Sequence, residues 1–386
     1  MKVAFYQPRH FNRTERKTNP FFDPIISVCE KNGIPYRIYQ PYRRPDTGYP
    51  KVYSSQYLRK FVRFFRWGVG RFLHGKKEHE IDRLAGKVWN VLTFGRHRAD
   101  VYVTIAAELR NVLSGVNPMG RIIDVQHGII YSSHAAYFAD GGLLLPDLAK
   151  DRNLEFWVYG RGFASQFLSN PANSSAIDGR VKVIGDVTGH AVSSWNGGAP
   201  RALFVSLQLT SECTYEENKA MYLRTVEFLR RAAPGGMWHG MPVLLRHHPR
   251  YNNCFDISPL LKEFPCVKID ERMLGEIACD GVAVHATLDS TTAFDVAAYG
   301  VPTYFIGSEN AVAADLVSIW NVAFSYPYWG LSFDGMADLA VSRPDEVSET
   351  LLKWFKSFYS PLDENAIYRA LTGECASPDT ERKQRC

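Results

Sequence analysis

The chain has 386 residues, of which 46% are hydrophobic and 22% charged, with a formal net charge of +5, and these fractions are typical of a folded globular protein. Its length suits two domains of about 180 residues better than one, and no apolar run reaches the roughly 18 residues that a transmembrane helix needs. Seven cysteines, an odd number without a Cys-x-x-Cys pair, argue against a disulfide framework and against a structural zinc site.

The first half of the chain alternates between apolar runs and amphipathic segments. We expect strands over residues 2–5, 36–39, 101–105, 121–125, 155–160 and 181–185, and helices over residues 24–32 and 163–168. Residues 41–53 are rich in Pro and Tyr and predict a loop. The strand, helix and second strand at the start are typical of a βαβ unit.

A second series of elements begins after residues 193–200, which are rich in Ser, Gly, Asn and Pro as domain linkers tend to be. We expect a strand over 201–207, a helix over 215–232, strands near Val243, Val267, Val282 and Thr303, and helices over 294–299, 344–358 and 363–371. The predicted fold class is therefore α/β, with two Rossmann-like, doubly wound domains. We place them at residues 1–195 and 196–372, followed by a disordered tail at 373–386.

A phosphate site is predicted at the end of a strand in the second domain. The apolar run 243–245 is typical of a buried parallel strand, and Arg246, His248 and Pro249 follow it. Because proline disfavours continuation as a helix, the imidazole of His248 is expected at the carboxyl edge of the sheet. Open α/β sheets bind their ligands at that edge.

A second group of polar residues follows a later strand of the same domain. Ser290, Thr291 and Thr292 lie at the start of a predicted helix, which the sequence Gly300-Val301-Pro302 ends. Hydroxyls and free amides at a helix start bind phosphate, although a plain helix cap has the same composition. The two groups together predict a site for a nucleotide diphosphate.

In the first domain, Gln126, His127 and Gly128 follow a predicted strand. With His248-Pro249 and the Ser290 to Thr292 cluster, this pattern resembles the nucleotide-sugar-dependent capsule and lipooligosaccharide glycosyltransferases of the GT-B fold, which include polysialyltransferases and relatives of the CDP-glycerol polymerases. The resemblance covers roughly the middle half of the chain. It implies two domains that face a central cleft, a nucleotide-sugar donor, a saccharide or lipid-linked glycan acceptor, and no separate cofactor.

The same resemblance implies that His127 faces the acceptor, and an imidazole that titrates near neutrality suits a general base. The candidate catalytic residues are His127, Asp124 and His134, with Gln126, Gly128 and Tyr137 on the acceptor side. Charge on the leaving group would be stabilised by the candidate donor-binding residues, Arg246, His248, Pro249, Ser290, Thr291 and Thr292. That scheme requires no metal ion. Polysialyltransferases use an acidic-acidic-Gly motif as the base, which this chain lacks in its first domain, so sialyl transfer is not implied.

Residues 58–77 combine seven cationic side chains with aromatic and aliphatic ones. As a helix, this composition is typical of an interfacial helix on anionic lipid, or equally of a core helix whose polar face is basic. The candidate membrane residues are Arg59, Arg63, Phe65, Arg66 and Trp67. Because this stretch accounts for the basic excess and no nucleic-acid-binding motif is present, we expect no nucleic-acid partner.

The N-terminal residues 1–8 predict a strand followed by a breaker rather than a secretory signal, so we expect a cytoplasmic protein with peripheral contact to the inner face of the cytoplasmic membrane. Three other functions stay open. A polyol-phosphate transferase would share both His motifs and differ in its donor, and a nucleotide-sugar 2-epimerase would share the fold but need acidic residues in its cleft. A non-catalytic lobe would bind nucleotide without turnover.

Overall fold

The computed structural model describes residues 1–8, 11–12, 14, 16–41, 48–69, 71–72, 76–106, 109–177, 179–189, 202–272, 274–307 and 323–374. These residues form two compact units, one made of residues 1–189 and 358–386 and the other of residues 190–357. The predicted linker at 193–200 and most of the predicted tail lie outside the described residues.

The strands are β1 Val3–Tyr6, β2 Tyr36–Gln40, β3 Val52–Ser54, β4 Val101–Ile105, β5 Arg121–Val125, β6 Leu154–Val158, β7 Val181–Val183, β8 Ala202–Ser206, β9 Met237–Trp238, β10 Met241–Arg246, β11 Lys268–Ile269, β12 Val282–Thr287 and β13 Thr303–Phe305. The α-helices are α1 Asp23–Lys31, α2 Gln56–Gly68, α3 Glu78–Leu92, α4 Arg110–Val116, α5 Pro146–Lys150, α6 Arg161–Leu168, α7 Ser174–Ile177, α8 Tyr215–Ala232, α9 Ser258–Glu263, α10 Leu274–Cys279, α11 Thr292–Ala297, α12 Phe333–Ser342, α13 Pro344–Phe358 and α14 Glu364–Thr372.

The first unit contains a seven-stranded parallel sheet in the order β3-β2-β1-β4-β5-β6-β7. Every residue of β4 and β6 is buried, as expected for parallel strands that are covered on both faces. Strand β3 begins at the end of the segment that we predicted as a loop. Its three residues, Val-Tyr-Ser, are too few for a strand pattern to be recognised in the sequence. It pairs at the sheet edge with β2.

The second unit contains a parallel sheet in the order β11-β10-β8-β12-β13, with β9 antiparallel to β10. Its central strand β8 packs against a different layer on each face. Leu203 and Val205 belong to one hydrophobic cluster with Phe228 of α8, whereas Phe204 belongs to another with Val296 of α11. The chain order reverses between β8 and β12, which makes their carboxyl ends the topological switch point of this sheet.

The chain returns to the first unit at its end. Arg121 at the start of β5 donates hydrogen bonds to the carbonyl oxygens of Leu371 (2.9 Å) and Ala370, and Lys31 of α1 pairs with Glu364 at 2.6 Å. Helix α14 thus packs with the first unit and not, as our boundary of 196–372 had it, with the second. The resemblance to GT-B enzymes implies that the last helices return in this way, but our boundary did not include it, since the contacts join residues about 250 positions apart.

Candidate functional site

The predicted base His127 lies on a tightly held turn at the carboxyl end of β5. The side-chain amide of Gln126 donates to the carbonyl oxygen of Gly128 at 2.7 Å, and its Oε1 accepts from the backbone N–H of Tyr159 at 2.9 Å. The Tyr159 hydroxyl in turn donates to the Gln126 carbonyl oxygen at 2.6 Å. The amide of Gln126 therefore holds the turn, and its predicted contact with an acceptor stays a prediction.

His127 itself is half-buried, and its ring makes an edge-to-face pair with that of Phe11, with a centroid distance of 5.5 Å. The neighbouring Gly128 is exposed, and an added Cβ at that position would meet nothing within 4 Å. The carboxyl edge of the sheet is therefore open beside the imidazole. A ligand could approach the backbone there, as we expect for an acceptor.

Asp124 and Tyr137 lie beneath this turn and not on its surface. The Asp124 carboxylate is 2% exposed and accepts a hydrogen bond from the Tyr137 hydroxyl at 3.2 Å. Burial and then the negative charge of Asp124 raise the pKa of Tyr137 well above its ordinary value. The tyrosine ring packs on Phe156 and Phe167, so the structure gives Tyr137 a supporting position under the loop, and direct contact with an acceptor stays a prediction.

His134 lies in a series of turns rather than in a helix. Its Nδ1 accepts a hydrogen bond from the backbone N–H of Ala136 at 3.2 Å, and its ring lies 5.2 Å from those of Tyr131 and Tyr137. Burial lowers the pKa of His134, which favours the neutral ring. A neutral imidazole has one accepting nitrogen, and here the backbone already uses it, so this geometry does not favour His134 as the base.

A polar cavity of about 440 Å³ adjoins the same loop in the first unit. Ala135 and Ala136 form part of its wall, and the ion pair between Arg110 and Asp147, 3.1 Å long, forms another part. Arg110 holds the pKa of Asp147 below its usual value although burial opposes this. Paired charges of this kind offer hydrogen bonds without a net charge, which suits a hydroxyl-rich ligand.

In the second unit, the residues that follow β10 surround a cavity of about 380 Å³. Its lining consists of Arg246, His247, His248, Pro249, Tyr251, Asn253, Ile269 and Glu271. Three predicted donor-binding residues, Arg246, His248 and Pro249, thus lie together in one cavity wall at the carboxyl edge of the sheet.

His248 accepts a hydrogen bond at Nδ1 from the backbone N–H of Arg250, 3.1 Å away. In the neutral ring the proton is then on Nε2, the form that donates to a phosphate oxygen. The adjacent His247 stacks face to face on Tyr251, with ring centroids 4.0 Å apart, and burial lowers its pKa. His247 was not among our predicted site residues, and the spacing of Tyr251 four residues later was the available signal.

The hydroxyl cluster lies at the start of α11, as predicted. The Ser290 hydroxyl accepts from the backbone N–H of Thr292 at 3.2 Å and donates to the Thr292 hydroxyl at 2.8 Å, while Thr291 is exposed. Ser290 therefore lies just before the N-cap residue Thr291 and bonds to the first residue of the helix. This local bonding orders the hydroxyls, and their contact with phosphate stays a prediction.

Register identifies a further residue that we did not predict. Ser206 is the last residue of β8, and its partners in the neighbouring strands are Arg246 on one side and Thr287 on the other. It lies half-buried at the switch point, between the strand that leads to His248 and the strand that leads to Ser290. A serine after a buried apolar run was the only signal in the sequence.

The basic stretch forms helix α2, but its exposed face differs from the predicted one. Phe65 is 8% exposed and packs in the core with Val62, so its assignment to a membrane-facing surface was wrong. Arg66 makes a bidentate pair with Asp82, at 2.6 and 2.7 Å, and a second pair with Glu78, so neighbouring carboxylates neutralise its charge. Arg59 is half-buried and points its Nε at the Ser55 hydroxyl, 3.4 Å away.

The side chains that α2 exposes are aromatic and cationic. Phe64 and Trp67 are 66% and 61% exposed, their rings lie 6.1 Å apart, and the guanidinium of Arg71 lies 4.9 Å above the Trp67 ring. Arg63 is also exposed, and just beyond the helix Phe72 is 84% exposed.

Among the described residues, no helix is long and apolar enough to cross a bilayer, and no group of three His, Cys, Asp or Glu side chains could hold a metal ion.

Several solved structures are similar to this chain over nearly its whole length. The lipopolysaccharide outer core galactosyltransferase WaaB in its apo form has a TM-score of 0.51 at 12% identity, with 97% of this chain and 100% of that chain covered. CalG4, the calicheamicin glycosyltransferase, has a TM-score of 0.50 at 14% identity, covering 97% and 99%. The glycotransferase of kitacinnamycin has a TM-score of 0.50 at 12% identity, covering 96% and 98%.

At these identities the likeness shows the fold. Together with the two parallel sheets, it confirms the predicted α/β class and gives the chain the GT-B fold of these glycosyltransferases. No protein-family model and no curated protein matches the sequence.

Proposed function

We propose that the protein is a glycosyltransferase that moves a sugar from a nucleotide-sugar donor to a hydroxyl of a saccharide or lipid-linked glycan, in the synthesis of a surface polysaccharide or lipooligosaccharide. One observation carries this proposal. Three adjacent strands of the second sheet end in cationic and hydroxyl side chains around a topological switch point, and one of these ends borders a cavity. The fold that the chain shares with known glycosyltransferases supports it.

The proposed chemistry divides the work between the two units. In the first, His127 removes the proton of the acceptor hydroxyl, and Gln126 holds the backbone turn that carries this imidazole. In the second, Arg246 and the Nε2 proton of His248 stabilise the charge that develops on the departing nucleotide, with the Thr292 hydroxyl, which Ser290 orients, as a further donor. Because these groups supply positive charge and donors themselves, we propose that transfer needs no metal ion.

The nucleotide is tested by calorimetric titration of the purified protein with CMP, CDP, UDP and GDP, first without metal and then with magnesium. Selective binding of CMP would direct the search to sialic acid or Kdo-type donors, and binding of UDP or GDP to hexose donors. Selective binding of CDP would favour the polyol-phosphate alternative. If none binds to the folded protein, the phosphate site of His248 and Ser290 is refuted.

The division of roles is tested with two histidine variants. We expect His127→Ala to abolish transfer and leave nucleotide affinity nearly unchanged, whereas His248→Ala weakens nucleotide binding as well. His239→Asn is the matched control, because His239 is exposed and lies in a left-handed turn conformation that asparagine tolerates. Equal loss of nucleotide binding in both alanine variants would contradict the proposed roles.

We further propose that the exposed face of α2 contacts anionic lipid from the cytoplasmic side, which would bring the enzyme to a membrane-held acceptor. Aromatic side chains suit the headgroup region, and each nearby Lys or Arg contributes about 1 kcal/mol on an anionic surface. The face consists of Lys60, Arg63, Phe64, Trp67, Arg71 and Phe72.

Vesicle sedimentation tests this contact. We expect binding to phosphatidylglycerol vesicles but not to phosphatidylcholine vesicles, and we expect Phe64→Ser with Trp67→Ser to weaken it at least several-fold. Leu223→Ser, an equivalent loss of an exposed apolar side chain on α8 that is 54% exposed, is the control. Equal sedimentation of the double variant and the control would refute the contact.

A further inference from the structure

A buried histidine connects the carboxyl end of β8 to the interior of the second unit. His285 of β12 is fully buried, and both of its ring nitrogens have hydrogen-bond partners. Nε2 lies 2.9 Å from the Ser206 hydroxyl oxygen, and Nδ1 lies 2.9 Å from the Thr303 hydroxyl oxygen. The ring also stacks on Phe204, with centroids 5.1 Å apart.

This imidazole is neutral across the physiological range, because burial lowers its pKa to about 3. A neutral ring donates with one nitrogen and accepts with the other, so the hydrogen bonds to Thr303 and Ser206 must run in one direction through it. Thr303 is fixed in turn, since its backbone N–H donates to the Tyr326 hydroxyl at 2.6 Å. In the direction in which the Thr303 hydroxyl donates to Nδ1, Nε2–H donates to the Ser206 oxygen, and the Ser206 proton can point toward a ligand.

The side chain of Ser206 points toward the layer that contains α11. Side chains alternate along a strand, and Phe204, two residues earlier, packs in one cluster with Val296 of that helix. Arg246 is the register partner of Ser206, and Leu244, two residues before it, packs against the same cluster. The Ser206 hydroxyl and the Arg246 side chain thus lie on the same face of the sheet at its switch point.

We propose that Ser206 contacts a phosphate group of the nucleotide and that His285 is the residue that positions its hydroxyl for this contact. The inference rests on the proposed nucleotide site and adds a ligand and a positioning residue to it. An apolar side chain would fill the place of His285 without the cost of burying a polar ring. The ring instead makes two hydrogen bonds, and one of them reaches the half-buried Ser206 at the carboxyl edge of the sheet. Positioning this serine is a role that an apolar side chain could not have.

The first test measures nucleotide affinity of Ser206→Ala by calorimetry, with the nucleotide that the unaltered protein binds most tightly among CMP, CDP, UDP and GDP. Because a hydrogen bond to a charged phosphate is lost, we expect the Kd to rise roughly tenfold or more. Ser165→Ala, which removes an exposed serine hydroxyl of α6 in the first unit, should leave the Kd unchanged. An unchanged Kd for Ser206→Ala would overturn the inference.

The second test asks whether His285 acts through Ser206. A glutamine amide reaches the position of Nε2, whereas an asparagine amide reaches only that of Nδ1, so we expect His285→Gln to retain more affinity than His285→Asn. In the Ser206→Ala background, the two substitutions should have equal affinity, because the hydroxyl that they would position is absent. If the losses of affinity caused by the His285 substitutions and by Ser206→Ala were simply additive in the double variants, His285 would have only a structural role. That result would overturn its positioning role.

The two proposals fail in distinguishable ways. If the unaltered protein binds none of the four nucleotides, the proposed nucleotide site is refuted and this inference with it. If it binds one of them and Ser206→Ala binds equally well, the nucleotide site stands and only the roles of Ser206 and His285 are refuted.

Discussion

Replacing Gly160 by alanine should push residues 358–360 out of their contacts with the first unit. Gly160 has an extended backbone that any residue could adopt, so the problem is one of space. An added Cβ would overlap the carbonyl group of Phe358 and the backbone nitrogen of Tyr359. Since those atoms belong to the backbone, the segment must move as a whole.

The magnitude follows from the contacts that such a movement breaks. Two backbone hydrogen bonds hold Ser360, one to the carbonyl oxygen of Tyr159 at 3.0 Å and one from the N–H of Asp186 at 2.8 Å, and each contributes about 1 kcal/mol. The ring pairs Phe163–Phe358 and Tyr159–Tyr359, at 5.3 and 5.6 Å, contribute up to about 1 kcal/mol each. We expect a loss of about 2–4 kcal/mol in the free energy of unfolding.

Calorimetric melting and amide hydrogen exchange measure this effect. A loss of that size corresponds to a melting temperature lower by roughly 4–16 °C, with faster exchange over residues 358–372. Gly68→Ala is the control, because Gly68 is at the end of α2 and an added Cβ there meets nothing within 4 Å. A melting temperature within 1 °C or so of the unaltered protein, with unchanged exchange, would refute the steric argument.

Three further predictions concern pH, thiol reactivity and an ion pair. Burial lowers the pKa of His97 to about 4, so between pH 6.5 and 4 the unfolded ring takes up a proton and the folded ring does not. The free energy of unfolding should therefore fall by about 1.4 kcal/mol per pH unit as the pH drops through this range. His97→Gln should remove that part of the pH dependence in urea titrations. Burial raises the pKa of the Cys29 thiol to about 12, which keeps it in the unreactive thiol form. Maleimide should therefore label the exposed Cys266 in the folded protein, and Cys29 only after unfolding. Peptide mass mapping that found both labelled at equal rates would contradict this. Asp82→Asn removes the ion pair with Arg66 and should lower the free energy of unfolding. We expect a loss of only about 1 kcal/mol, because the Arg66 side chain is 44% exposed and solvent screens the pair. An unchanged urea midpoint would show that the pair contributes nothing.

Local sequence was sufficient for many elements. Strands β4 and β5 have the predicted bounds, because each is a short run of buried, largely β-branched residues between polar ones. Helix α8 also has its predicted bounds, and Thr214 and Glu217 form a capping box at its start. Signals of this kind act within a few residues, so they can be read without the fold.

The candidate site could be predicted only where its residues follow a recognisable strand. His127 and His248 met that condition, and the structure places both at carboxyl ends. The position of Ser206 between Arg246 and Thr287 depends on the order of strands in the sheet, which the sequence of one strand does not contain.

The exposed face of α2 was predicted only in part, since Arg63 and Trp67 are exposed but Phe65 is buried, and the reason is related. Aromatic residues occur at Phe64, Phe65 and Trp67, so periodicity alone does not decide which of them faces the core. Packing against α3 decides it, through the stripe of Leu58, Val62 and Phe65. The face that α3 leaves uncovered is the one that any lipid contact must use.

The return of the chain to the first unit has a consequence for synthesis. Residues 358–374 are needed to cover Gly160 and Phe163, yet the ribosome adds them only after the 168 residues from 190 to 357. At a translation rate of about 5–20 residues per second, synthesis of these 168 residues takes roughly 10–30 s. During that time the apolar surface of the first unit that residues 358–374 later cover is exposed to solvent. We expect a chaperone to bind this apolar surface of the nascent chain during that interval. A fragment that stops at residue 189 would expose the same surface permanently.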